Sequence, residues 1–155
     1  KTAYEISTRD WSSDVCSSDL FLPYSNFEQS AKSLDYRRLG KQRVETLQIL
    51  KALSGQSKGW TNHPATRMWK NHELWLIEYG LVICREWINR GYQDTCVEKI
   101  AQYRNKFSDG TRPWWLDKNE LHLSHQSNLI KKYPAYYKKQ FPNVPDNLEY
   151  YWPVR

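Results

Sequence analysis

A single carboxylate, Glu45, stands in a strongly basic part of the sequence. The cationic side chains around it are Lys41, Arg43, Lys51 and Lys58. Basic side chains can hold a polyanion, and an acid among them can move protons on the bound polymer. On a helix, however, Lys41 lies one turn before Glu45, so an exposed ion pair is the simpler interpretation of these residues alone. The pattern leaves both a catalytic acid and a solvated helix face open.

Two basic clusters predict contacts with nucleic acid. The first surrounds Glu45, and the second, over residues 131–139, contains four lysines and three tyrosines. Lysine and arginine bind phosphate while aromatic rings stack on bases, although such clusters are more often ordinary solvated surface. The predicted DNA contacts are Arg37, Arg38, Lys41, Arg43, Lys58, His63, Arg67, Tyr136, Tyr137 and Lys138.

The composition is consistent with this interpretation. The chain has 155 residues, enough for one domain, a net charge of +6 and 15% aromatic residues. There is no apolar run long enough to cross a membrane, and the three cysteines do not suggest a disulfide framework, which fits a reducing cytoplasm.

Neither a metal nor another cofactor is predicted. His122 and His125 are spaced i, i+3 and could supply two metal ligands, but no cysteine or carboxylate stands at ligand spacing beside them. We therefore expect an ordinary pair of histidines, either partly exposed or hydrogen-bonding. No Gly-rich phosphate loop is present, because the sequence around Gly55 and Gly59 lacks the ending of a P-loop.

The positioning elements are predicted to be helices, giving an all-α fold with an extended aromatic C-terminal tail. We expect a short helix capped by Ser25 or Asn26 and a helix from Asp35 to about Leu53, ended by Gly55. A further helix begins near Pro64, capped by Asn62. The longest apolar stripe predicts a central core helix from His72 to Arg90, on Leu74, Ile77, Leu81, Cys84, Trp87 and Ile88. Later helices are expected after Thr95, after Asp117 or Asn119, and at Pro134. On the second helix the predicted stripe is Leu39, Val44, Leu47 and Leu50, with Ile49 as a further candidate.

Residues 1–20 differ from the rest of the chain. They are rich in serine and aspartate, and residues 14–20 resemble the translation of a sequencing-library adapter. We therefore expect a non-native or disordered extension, with residues 21–155 forming a single helical domain. Removing the extension takes out two basic and four acidic residues, so the remaining body is more basic than the whole.

The segment from Gly40 to Pro64 resembles the pyrimidine dimer DNA glycosylases of the phage endonuclease V type and their bacterial relatives. The motif consists of a glutamate, an apolar helix, a Gly-x-x-Lys-Gly-aromatic turn and Asn-His-Pro. Here these are Glu45, residues 55–60 and residues 62–64. The similarity continues to Arg90-Gly91-Tyr92, then at Ser124-His125 and residues 132–137, and is greatest to an actinobacterial-type bacterial branch.

The resemblance implies a DNA glycosylase/AP lyase that acts on pyrimidine-dimer or abasic DNA. In this family the N-terminal α-amino group attacks the sugar C1′ and forms an imine, and a glutamate assists; that role would fall to Glu45. Family arginines beside the glutamate are replaced here by Val44 and Gln48, and Arg43 or Arg38 could substitute for them.

The chain as given has its amine at Lys1, so we expect it to be catalytically inactive. We also expect a monomer that binds double-stranded DNA. Two other interpretations remain open: a non-catalytic nucleic-acid-binding module, and a helical protein whose basic face is merely solvated.

Overall fold

The computed structural model describes residues 20–56 and 63–153, and within these residues every long regular element is an α-helix. The seven helices are α1 (Phe27–Ser33), α2 (Tyr36–Leu53), α3 (Pro64–Trp69), α4 (Glu73–Asn89), α5 (Val97–Gln102), α6 (Asn119–Lys132) and α7 (Pro134–Gln140). A short 3-10 turn, Tyr103–Asn105, follows α5. The predicted all-α class is confirmed. In the same part of the chain, no helix is both long and apolar enough to cross a membrane.

Several helix ends follow from local sequence as predicted. The Asn26 side chain accepts a hydrogen bond from the first turn of α1. Pro64 is the first residue of α3, where its missing N–H costs little. The cap expected at Asn62 lies outside the described residues, and His63 Nδ1 accepts the Ala65 N–H at 3.1 Å. Gly91, with φ of 96°, ends α4.

Other predicted caps are wrong. Thr95 does not begin α5; instead Asp94 Oδ2 accepts the Val97 N–H at 2.7 Å. Helix α6 has Lys118 at its N-cap position with no side-chain capping bond, rather than a cap from Asp117 or Asn119. These boundaries depend on how the preceding loops pack, which local capping preferences do not determine.

Helix α4 is the centre of the core and packs against α1, α2 and α5. The predicted stripe is buried at Ile77, Leu81, Cys84 and Trp87. Ile88 is 46% exposed, so its assignment to the core was wrong. Gly80 permits the close approach of α2, because a Cβ there would lie 2.7 Å from Thr46 Cγ2.

The predicted division of α2 into an apolar and a solvated face is wrong. Leu39, Ile49 and Leu50 are buried, whereas Val44 and Leu47 are only half-buried. The polar side chains that are buried on α2 are Lys41, Gln42, Arg43, Glu45 and Thr46. The reason is tertiary: α4 covers one side of α2, and the segment that precedes α1 contacts another.

Candidate active site

Residues 20–22 form a segment outside any helix that is buried in the core. Leu20, Phe21 and Leu22 are all 3% exposed or less. The Phe21 N–H donates to Gln42 Oε1 at 2.8 Å, and the Tyr79 hydroxyl donates to the Phe21 carbonyl at 2.8 Å. Side chains of α2 and α4 therefore hold the backbone of Phe21 from both its N–H and its carbonyl.

Two histidines of α6 hold the next peptide unit. His125 Nδ1 accepts the Leu22 N–H at 2.8 Å, and His122 Nδ1 lies 2.7 Å from the Leu22 carbonyl. His122 Nε2 lies 2.6 Å from the Leu116 carbonyl. Of the two alternatives expected for these histidines, hydrogen bonding is confirmed, and both residues are buried.

The environment of His125 keeps its ring neutral. Burial, with a smaller contribution from the neighbouring His122 charge, lowers the pKa of His125 to about 3. The neutral ring can accept at Nδ1, as the hydrogen bond from Leu22 requires, and Nε2 then carries the proton. That Nε2 has no hydrogen-bond partner in the described part of the chain.

Glu45 lies on the same face of α2 as Gln42, three residues further along. It is 3% exposed, and Lys41, one turn earlier, is 7% exposed. The interpretation of this pair as an exposed ion pair is therefore wrong, because neither side chain is in solvent. The face of α2 that receives the backbone of Phe21 also carries the buried carboxylate.

The C-terminal tail lies beside the same segment. The Tyr150 ring centroid lies 6.4 Å from that of Phe21 and 5.7 Å from that of His125. Trp152 stands 5.4 Å from Tyr150 and meets His63 edge-on at 6.3 Å. The tail thus connects His63, a predicted DNA contact, with the N-terminal segment; burial lowers the pKa of His63.

The remaining predicted basic contacts fall into different environments. Arg37 and Arg38 are half-buried at the start of α2, and Arg67 is exposed on α3. Lys58 lies outside the described residues, as does most of the Gly-x-x-Lys-Gly-aromatic turn. Lys41, as noted, is buried. The predicted basic residues therefore do not form one continuous solvated patch.

Arg43 is engaged inside the protein. Its Nη1 lies 2.6 Å from Asp94 Oδ1, and its guanidinium carbon lies 4.3 Å from the centroid of the Trp87 ring. The Arg43 and Asp94 side chains are 6% and 0% exposed. In this arrangement Arg43 cannot also replace the missing arginine beside Glu45, so of the two candidates only Arg38 lies on an accessible part of α2.

The C-terminal tyrosines pack near the start of α2. Tyr133 is 42% exposed and stacks on Tyr136 at 5.6 Å, while the Arg38 guanidinium lies 6.0 Å from the Tyr133 ring. Tyr137 is fully buried: its hydroxyl donates to Asp35 and accepts the Asp35 N–H at 2.9 Å, and burial raises its pKa. Lys138, the next residue, is exposed. This surface brings Arg38 together with Tyr133 and Tyr136, and the buried ring of Tyr137 packs against both tyrosines.

Sequence reasoning missed Gln42 and Tyr79 and assigned no site function to His122 or His125. Gln42 and Tyr79 sit among apolar core positions, and a polar group at such a position must find a buried partner. That signal indicates a buried hydrogen bond but does not identify its partner. Among the described residues no cluster of three histidines, cysteines or carboxylates is arranged to hold a metal.

Comparison with protein families shows what class of protein this is. A family model described as pyrimidine dimer DNA glycosylase matches residues 19–99, which is more than half of the chain. The chain belongs to the pyrimidine dimer DNA glycosylase family, a family of DNA repair proteins whose substrate is DNA. The match covers Gln42, Glu45 and Tyr79, whereas His122 and His125 lie beyond it. Searches of curated proteins and of solved structures gave no significant match.

Proposed function

We propose that the protein is a DNA glycosylase/AP lyase that acts on a pyrimidine dimer or an abasic site in double-stranded DNA. The observation that carries this proposal is the meeting of the N-terminal segment with the Glu45 face of α2. Phe21 N–H is bonded to Gln42, and Glu45 follows one turn later on the same side. An amine just before Phe21 would therefore lie beside a buried acid.

In the proposed reaction the neutral α-amino group bonds to C1′ of the damaged nucleotide. The bond from C1′ to the base breaks, and the base leaves with its electron pair and takes up a proton. The sugar ring opens and an imine forms; loss of a proton from C2′ then expels the 3′ phosphate. Glu45 stabilises the cationic sugar and moves these protons. An α-amino pKa near 8 leaves a useful neutral fraction at cellular pH.

The nucleophile is the amine of a terminus at or just before residue 20. A chain in which residues 1–19 precede this position has no free amine there, so it is inactive in this proposal. Leu20 is buried with the core, and the family match begins at residue 19. Both observations support a catalytic domain that begins near this residue.

The proposed DNA surface combines basic and aromatic side chains near Glu45 with those around Arg38. We assign phosphate contacts to Arg37, Arg38, Lys58, Arg67 and Lys138, and aromatic or polar contacts to His63, Tyr136 and the adjacent Tyr133. Lys41, which is buried next to Glu45, is assigned to the reaction centre. Arg43 and Tyr137 are assigned to the fold because both are buried in hydrogen-bonded pairs. The damaged nucleotide must be turned out of the duplex, which costs a few kcal/mol.

The test is borohydride trapping on abasic-site DNA. A protease site placed directly before residue 20 of the 155-residue chain releases the amine from an already folded protein. We expect a covalent adduct after cleavage and none before it. Glu45→Gln should abolish turnover while DNA binding is retained. Equal trapping by the uncut chain would contradict the amine assignment.

A non-catalytic DNA-binding module is the second candidate, and it is favoured by Val44 and Gln48, which stand where the family pattern has arginines beside the glutamate. It predicts no adduct before or after cleavage. Binding should nevertheless weaken steeply with salt, since phosphate contacts release counterions.

A further inference from the structure

The segment that leads to the proposed amine is held in an unusual way for a chain outside any helix. No neighbouring strand pairs with it in the described structure. Instead, buried side chains satisfy both backbone groups of Phe21 and both of Leu22. At the next residue the Gln126 amide donates to the Pro23 carbonyl at 2.7 Å. Because each backbone group is bonded to one particular side chain, the segment cannot slide by a residue relative to the helices. The same bonds fix how deeply it is buried.

Gln42 makes the hydrogen bond nearest to the amine. Its Oε1 accepts from the Phe21 N–H at 2.8 Å and lies 3.0 Å from the Tyr79 hydroxyl, and Gln42 is fully buried. The Phe21 N–H determines which way the amide faces, because the reversed amide would set two donors against each other. The Tyr79 hydroxyl proton is shared between Gln42 Oε1 and the Phe21 carbonyl. Gln42, Tyr79 and Phe21 therefore form a closed hydrogen-bond network.

The orientation of this amide has a cost. With Oε1 turned to Phe21, the Nε2 donors of Gln42 have no partner in the described part of the chain. A buried donor without a partner destabilises a protein, so the hydrogen bonds of Gln42 Oε1 to Phe21 and Tyr79 are offset in part by its own unpaired N–H groups. Keeping glutamine here is understandable if its contact with the Phe21 backbone serves something other than stability.

We propose that Gln42 is a positioning residue that sets the register of residues 20 and 21, and with it the distance between the N-terminal amine and Glu45. The inference rests on the proposed amine mechanism. Gln42 and Glu45 are three residues apart on one rigid helix, so a backbone tied to Gln42 is also placed relative to the carboxylate. A nucleophile displaced by only about 1 Å can lose about 100-fold in rate.

The experiment compares Gln42→Met with Gln126→Met. Both replace a buried or half-buried glutamine that bonds the same segment, but Gln126 acts two residues further from the amine. Each variant is made in the full chain with the protease site before residue 20, and in versions with the site before residue 19 or 18. Single-turnover adduct formation on abasic DNA, DNA affinity and thermal stability are measured for all of them.

We expect Gln42→Met to slow adduct formation by about 100-fold, with DNA affinity unchanged, and Gln126→Met to slow it much less. In the parent, the rate of adduct formation should be much higher for one of the three cleavage positions than for the other two. In Gln42→Met the three rates should be similar. A purely structural role would lower stability without changing this dependence on cleavage position. Adduct formation by folded Gln42→Met within about threefold of the parent would overturn the inference. If Gln42→Met does not fold, Tyr79→Phe is used instead, because it removes the hydroxyl that bonds Gln42. Tyr79→Phe should likewise make the rates at the three cleavage positions similar. A dependence on cleavage position as strong as in the parent would overturn the inference.

A second measurement separates this inference from the proposed function. Amide hydrogen exchange of Phe21 is followed in the uncut 155-residue chain, where no catalysis is needed. Gln42→Met should accelerate exchange of this amide by about tenfold or more over the Gln126→Met control. Absence of any adduct in the parent would refute the amine mechanism, and unchanged Phe21 exchange would refute the positioning by Gln42.

Discussion

Replacing Arg43 with glutamine should destabilise the protein strongly and leave the salt dependence of DNA binding unchanged. Arg43 was predicted to contact DNA, but its guanidinium lies between Asp94 and the Trp87 ring inside the protein. The substitution leaves the Asp94 carboxylate buried without its cation, and Asp94 is also bonded to the first N–H of α5.

The expected magnitude follows from burial. An exposed ion pair contributes about 0–1 kcal/mol, whereas removing one partner of a buried pair costs about 3–5 kcal/mol. The Arg43 and Asp94 side chains, at 6% and 0% exposure, belong to the second case. At about 2–4 °C per kcal/mol for a chain of this size, the melting temperature should fall by about 6–20 °C.

Arg37→Gln is the matched control, because Arg37 lies two turns earlier on the same helix and is half-buried. Its free energy of unfolding should change by no more than about 0.5 kcal/mol. The slope of log affinity against log salt should become shallower by about 0.9, as expected for one lost phosphate contact. Thermal melts and fluorescence-anisotropy salt titrations measure both quantities. An Arg43→Gln protein that melts like the parent but loses one unit of salt slope would refute the structural assignment.

Two further predictions concern the packing around the site. His125 has a folded-state pKa of about 3 against an ordinary 6.5, so the unfolded chain binds its proton first. The free energy of unfolding should therefore fall as the pH drops below about 6.5, by up to about 1.4 kcal/mol per pH unit. In urea melts at several pH values, the free energy of unfolding should depend less steeply on pH for His125→Asn, which keeps an acceptor but does not titrate. An equally steep pH dependence would contradict this prediction. Gly80→Ala should lose about 1 kcal/mol, since overpacking against Thr46 exceeds the gain in helix propensity. Adding Thr46→Ser, which removes the clashing methyl, should recover the lost stability. A Gly80→Ala protein that is more stable than the parent would show that α2 and α4 are not tightly packed.

Local sequence predicted the elements whose formation depends on local interactions. Asn26 caps α1, Pro64 opens α3, and Gly55 and Gly91 adopt positive φ after α2 and α4. The 3.6-residue period of the core helix was also informative, because α4 packs against three other helices and most of its buried residues are apolar. Ile88 shows the limit of this reasoning, since a stripe can extend past the point where a helix leaves the core.

Motif spacing was sufficient for the family, and the role of Glu45 stays a prediction. Composition and motif spacing were not sufficient to distinguish basic residues on the surface from those inside the protein. Arg38 and Arg43 look alike in the sequence, yet Arg43 meets Asp94, which is 51 residues away along the chain. Tyr137 and Tyr136 are adjacent, yet only Tyr137 reaches Asp35 across 102 residues.

The candidate site itself depends on contacts that no local pattern contains. His125 meets Leu22 across 103 residues, and Gln42 meets Phe21 across 21. Helices form from interactions within a few residues, so their positions and their chemistry can be inferred from the amino-acid sequence alone. Burial of Glu45 and capture of the N-terminal segment require α2, α4 and α6 to be packed together first. For that reason only the tertiary structure could bring the N-terminal segment onto the face of α2 that carries Glu45.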